Sequence, residues 1–135
     1  MAVEIPCQRP VSSWIELIKV KSSAFHKRLN QICGDNDDLR KESAEMCLRT
    51  LQAFATAYGA DRSVIVVRSI GRVNLVGTHI DHRGGSVNPI GVKQMWLVVQ
   101  SRDDDLVFAK NVEDGRFPDE QFRISQALPA GKKIR

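Results

Sequence analysis

Apolar residues first recur at helical spacing. Trp14, Leu17, Ile18, Phe25 and Leu29 fall on one side of a 3.6-residue turn, and Ser13 and Glu16 stand three apart in the manner of a capping box. The pattern predicts a helix over about 12 to 32. Gly34-Asp35-Asn36-Asp37-Asp38 then interrupts it with turn formers and N-cap candidates, after which Ala44, Cys47, Leu48, Leu51, Phe54, Ala55 and Tyr58 mark the apolar face of a second helix. Gly59 ends that helix, because glycine takes the left-handed conformation common after helix ends at little cost. From Asp61 the period changes. The β-branched run Val64-Ile65-Val66-Val67 is too short for a helix and suits a buried strand over Ser63 to Arg68. Further strands are expected at Arg72 to Val76, Ser86 to Ile90, Met95 to Gln100, Leu106 to Lys110 and Gln121 to Ile124. Gly84-Gly85 and Asp103-Asp104-Asp105 read as hairpin turns between them. The expected architecture is α+β: a helical lead of two helices over 1–60, followed by a mostly antiparallel or mixed sheet over 61–135.

Composition narrows this picture. A chain of 135 residues with 42% apolar content supports one domain with an ordinary core. Its 20 basic and 16 acidic side chains are well mixed, so the net charge of +4 gives no basic tract, and no nucleic-acid partner is expected. Cys7, Cys33 and Cys47 have neither paired nor metal-type spacing, which points to a reducing, cytoplasmic setting. Residues 1–10 include Glu4 and Arg9 and offer no signal-peptide core. No stretch approaches the ~20 apolar residues of a membrane span, so no membrane partner is expected.

The chemistry is concentrated between Ser69 and Gly85. The run Ser69-Ile70-Gly71-Arg72-Val73-Asn74-Leu75-Val76-Gly77-Thr78-His79-Ile80-Asp81-His82-Arg83-Gly84-Gly85 follows a strand and holds more polar function than a connection requires. Two imidazoles and a carboxylate supply donors and acceptors for several hydroxyls, and Gly84 and Gly85 let the backbone turn or approach a ligand without Cβ interference. Arg72 adds a permanent planar charge suited to phosphate. A polyhydroxylated ligand fits this inventory. Arg72 also has a plain reading as a strand-end arginine in a surface ion pair. His26 reads as structural, and the Asp103 to Asp105 run reads as a solvated turn without the rest of a calcium loop.

At these residues the run resembles the galactokinase signature of the GHMP kinase superfamily, Pro-Gly-Arg-Val-Asn-Leu-Ile-Gly-Glu-His-Thr-Asp-Tyr-Asn-Gly-Gly followed by an apolar strand. The match takes in Gly71 to Gly77, His79, Asp81 and Gly84-Gly85 and continues through Val87-Asn88-Pro89-Ile90. The resemblance implies the amino-terminal part of a GHMP kinase, with strands in the family's order over Val64 to Ile124. It implies a sugar kinase that phosphorylates the anomeric hydroxyl of galactose or a related sugar, using ATP and Mg2+. Arg72 matches the arginine beside the reacting hydroxyl, where its charge eases deprotonation and stabilises the transferring group. Thr78, His79, Asp81, His82, Gly84 and Gly85 fall at sugar-binding positions. The family's catalytic aspartate, Gly/Ser-rich phosphate loop and metal ligands have no counterpart in these 135 residues. The stretch is therefore expected to lack kinase activity by itself, to bind neither nucleotide nor metal, and to join a missing carboxy-terminal portion that covers its exposed apolar surface.

Three positions depart from the pattern. Ile70 replaces proline and His82 replaces tyrosine, while Thr78 stands where galactokinases carry a glutamate that contacts the sugar's C6 hydroxyl. Loss of that carboxylate removes a charge that would repel an acidic C6 group, and Arg83 lies near in sequence with the opposite charge. A uronic acid is therefore an alternative substrate. Two other readings stand beside the kinase. One is a sugar sensor that keeps the fold without phosphoryl transfer. The other follows from the likeness of His79-Ile80-Asp81-His82-Arg83-Gly84-Gly85 to the His-x-His-x-Asp-His-x-Gly-Gly motif of metallo-β-lactamase-type hydrolases, in which Gly77 stands where a zinc-binding histidine is needed.

Overall fold

The computed structural model describes residues 7–21, 23–77, 80–113 and 116–127, with Asp81 and Ala127 described through their backbone alone. Residues up to Val99 make one compact unit and those from Gln100 a second. The architecture is α+β, with helices and antiparallel strands in both.

The first unit opens with a short strand β1 (Arg9–Pro10), followed by helix α1 (Val11–Lys19). Pro10, the residue before α1, makes no side-chain cap, so the expected Ser13 and Glu16 box does not start this helix. The exposed amides of its first turn are instead satisfied by backbone carbonyls across the fold: Val11 N–H donates to Arg62 and Ser12 N–H to Ala60, each at 3.0 Å. The single helix expected over 12 to 32 is in fact two. Val20 turns extended, and Ser23 caps a new helix α2 (Ala24–Cys33) by accepting from the His26 N–H at 3.4 Å. Serine competes for backbone groups in this way, which ends a helix whose apolar spacing continues. The His26 ring ties the two helices together, its Nε2 lying 2.6 Å from the Ile18 carbonyl, so this nitrogen carries the proton.

Helix α3 (Asp37–Tyr58) follows as expected. The Asn36 side chain accepts from the Leu39 N–H at 2.9 Å, Asp37 and Asp38 place negative charge at the helix's positive end, and Gly59 closes it at φ +102°.

Strands β2 (Ser63–Val76) and β3 (Asn88–Val99) pair antiparallel from Ile65↔Val99 to Val76↔Asn88. Four of the short strands expected from sequence are thus two long ones. The polar interruption at Ser69-Ile70-Gly71 is a bulge within the ladder rather than a turn, because β3 carries an extra residue, Lys93, opposite it. A Cβ on Gly71 would lie 2.9 Å from Val92 Cγ2 and 3.1 Å from the Lys93 carbonyl oxygen, so glycine is needed where the strands close up.

The helices cover one face of this hairpin. Val11, Ile18, Cys47, Leu51 and Val64 form the buried centre, with Trp14, Phe25, Phe54, Val66, Trp96 and Val98 packed around it. Strand alternation sends Val67, Met95, Leu97 and Val99 to the other face, where all four are exposed.

In the second unit β4 (Leu106–Ala109) pairs antiparallel with β5 (Glu120–Arg123), and a single helical turn, α4 (Ile124–Ala127), follows. Asp103 to Asp105 therefore does not join two paired strands. Two of these aspartates are also hydrogen-bonded rather than simply solvated. Asp104 accepts a two-pronged bond from Arg102 and one from the Leu106 N–H. Asp105 accepts from the Ser125 N–H at 3.0 Å and from the Ser125 hydroxyl, capping α4.

Candidate functional site

The signature residues lie on the stem and end of the β2/β3 hairpin. Among the described residues of the connection over 77–87, Asp81–Arg83 forms a 3-10 turn. Glycines shape the connection for two separate reasons. Gly77 and Gly84 take positive φ, +85° and +80°, which side-chain-bearing residues rarely adopt. Gly77 and Gly85 also pass close to other atoms. A Cβ at 77 would lie 2.5 Å from the Ser86 carbonyl oxygen, and one at 85 would lie 2.9 Å from two side-chain carbons of Ile80. Backbone bonds hold the result: Ile80 N–H to Gly77 at 3.2 Å, and the Ile80 carbonyl accepting from Arg83 at 3.0 Å and Gly85 at 2.9 Å.

His82, Arg83, Gly84 and Gly85 are all exposed on this loop. Asp81 opens the 3-10 turn through its backbone, but its side chain lies outside the described residues, as do Thr78 and His79. The sugar ligands expected at 78, 79 and 81 and the rival zinc motif, which needs the same residues, both fall there. Among the described residues no group of three His, Cys, Asp or Glu is placed to hold a metal ion.

Arg72 stands on the stem. It is exposed and pairs in register with Gly91, so no side chain faces it from the neighbouring strand. Gly77 lies five positions further on, about 16 Å along an extended strand. Strand alternation puts Arg72 and Asn74 on one side of β2. Asn74 Oδ1 is buried without a hydrogen-bond partner, an acceptor left open within the signature itself. Chemically, the arrangement offers an exposed Arg72 opposite a glycine on the hairpin stem and a short loop with exposed His82 and Arg83 at its end.

Ile80 was not among the candidate residues, although it touches both close-packed glycines. The only trace in the sequence is its position, a single apolar residue between His79 and Asp81.

Comparison with known proteins bears on the same stretch. A family model described as the galactokinase galactose-binding signature matches residues 52–102, which runs from within α3 through the hairpin. The chain is 34% identical over 91 residues to the galactokinase of Homo sapiens, covering 67% of this chain and 22% of that protein. It is 29% identical over 77 residues to that of Candida parapsilosis, covering 56% of this chain and 15% of that protein. With the galactokinase of Saccharomyces cerevisiae it shares 42% identity over 55 residues, 41% of this chain and 10% of that protein. The chain thus spans about a fifth or less of the length of these relatives. No solved structure matches it significantly. No helix among the described residues is long and apolar enough to cross a membrane.

Proposed function

We infer that this chain, galactokinase-type by its sugar-binding signature, holds a hexose at the 77–87 loop as the sugar-recognising part of a sugar kinase. The observation that carries the reading is the hairpin end, where glycines required by φ and by close packing shape a short loop beyond the stem that carries the exposed Arg72. Thr78, His79, Asp81 and His82 are the residues assigned to sugar hydroxyls, and Gly84 and Gly85 give the ring access to backbone. Arg72, on the stem below the loop, is assigned through the family resemblance to easing deprotonation of the anomeric hydroxyl.

ATP and Mg2+ belong to the galactokinase reaction, but the described residues do not fit them. They offer no cluster of acidic or imidazole ligands, and residues 1–135 contain no Gly/Ser-rich phosphate loop. The reading assigns sugar recognition to these residues and leaves the ATP and Mg2+ of the anomeric phosphorylation proposed for the whole protein to other groups than those described.

The sugar itself is set by Thr78. With no carboxylate at that position and an exposed Arg83 five positions on in sequence, the site favours a negatively charged C6 group, as in galacturonate. Calorimetric titration of the chain with galactose and with galacturonate tests both parts. Galacturonate is expected to bind more tightly, with Thr78→Glu reversing the order. A native preference for galactose sinks the uronic-acid assignment, and absence of binding to either sugar sinks the sugar site.

A further inference from the structure

The polar loop is built around one apolar side chain. Ile80 is bonded through its backbone to both flanks of the loop, donating to Gly77 and accepting from Arg83 and Gly85. Its side chain lies against the bare backbone of the same two glycines. A Cβ at Gly77 would meet Ile80 Cδ1 at 3.2 Å, and a Cβ at Gly85 would meet Ile80 Cδ1 and Cγ1 at 2.9 Å and Cβ at 3.0 Å. Ile80 remains 41% exposed, so these contacts are local to the loop rather than part of the helix-covered core.

We propose that Ile80 is the positioning residue of the sugar loop: its side chain fills the space that Gly77 and Gly85 leave open, and so holds the turn over Ile80 to Gly85. This rests on the reading of the loop as a sugar site. It gives Gly85 a specific reason for being glycine. Gly85 does not have positive φ, and the three atoms nearest to a Cβ there all belong to the Ile80 side chain. Gly77 differs, because its φ is positive and its nearest obstacle is the Ser86 backbone oxygen, which no change at Ile80 removes.

That difference makes the inference testable on the 135-residue chain. Ile80→Ala should speed hydrogen exchange at the Arg83 and Gly85 amides and weaken binding of the preferred sugar, galactose or galacturonate, each about tenfold. Ile80→Val should retain most of both, and the thermal midpoint should hardly move. Gly85→Ala should weaken sugar binding on its own. Combined with Ile80→Ala, which clears the two closest contacts, part of the affinity should return. Gly77→Ala should show no such recovery with Ile80→Ala. Unchanged exchange in Ile80→Ala, or a Gly85→Ala loss that is the same whether residue 80 is Ile or Ala, would overturn the proposal. If the native chain binds neither sugar, the sugar reading falls, and the exchange measurement still decides whether Ile80 holds the loop.

Discussion

The hydroxyl of Ser43 on α3 donates to Oε1 of Gln94 on β3 at 3.0 Å, and both side chains are buried. The same Oε1 accepts from Arg68 Nε, which fixes the amide's orientation: a flipped amide would set two donors against each other. Gln94 Nε2 is consequently left buried without a partner. The arrangement joins the helical layer to the hairpin at the bulge, close to the point where β2 begins its signature residues.

Removing the two members of that pair should therefore cost unequal amounts. Ser43→Ala leaves Oε1 bonded to Arg68 and should lower stability by about 1 kcal/mol. Gln94→Ala strands both donors and opens a cavity, and should cost roughly 2–4 kcal/mol. Urea unfolding of the two variants measures this, and equal losses would contradict the shared-acceptor arrangement.

The cysteines should differ sharply in reactivity. Burial pushes the Cys47 thiol up to about 12, whereas Cys7 is exposed. Since the thiolate is the nucleophile, iodoacetamide at neutral pH should label Cys7 in the folded chain and reach Cys47 only after unfolding. Mass spectrometry of the labelled peptides distinguishes the two, and early labelling of Cys47 would show that the core around Leu51 opens.

Acid should loosen the β4/β5 unit before the helical core is affected. The hydrogen bond from Arg102 holds Asp104 down at about 2, and the hydrogen bond from the Ser125 hydroxyl lowers Asp105. Both groups titrate lower when folded than when unfolded. Their contribution is complete above the ordinary carboxylate range near ~4, and is lost as pH falls through the depressed folded values. The Ser125 amide resonance should move in that acid window and stay still between pH 5 and 8. Asp105→Asn should remove most of the movement.

The uncovered face of the hairpin should make the isolated chain associate. Val67, Met95, Leu97 and Val99 are 40%, 59%, 44% and 46% exposed on neighbouring positions of β2 and β3. Contiguous apolar surface of this kind on a strand pair favours contacts between chains. Sedimentation should show concentration-dependent association that Leu97→Lys weakens. A monomer at all concentrations would contradict this.

Much of the framework was legible from the order of residues. Helix α3 follows from Asn36, the two aspartates after it and Gly59, all of which act locally. The α1/α2 break was not legible, because the apolar spacing from Trp14 to Leu29 continues across it and only the cap at Ser23 ends the first helix. The bulge at Gly71 and the pairing of β4 with β5 depend on partners distant in sequence, which periodicity does not identify. At the site, the motif marked the stretch that the galactose-binding family model matches, whereas the closeness of Ile80 to Gly77 and Gly85 depends on the loop's fold and leaves no periodic signal.

The central claim is that the hairpin end binds a hexose. The most direct test is a titration of the isotopically labelled chain with galactose and galacturonate, followed through every backbone amide. The account predicts saturable shifts confined to Arg72, its neighbours on β2 and residues 77–87, with galacturonate saturating first. Shifts scattered over the helices, or none with either sugar, would contradict it.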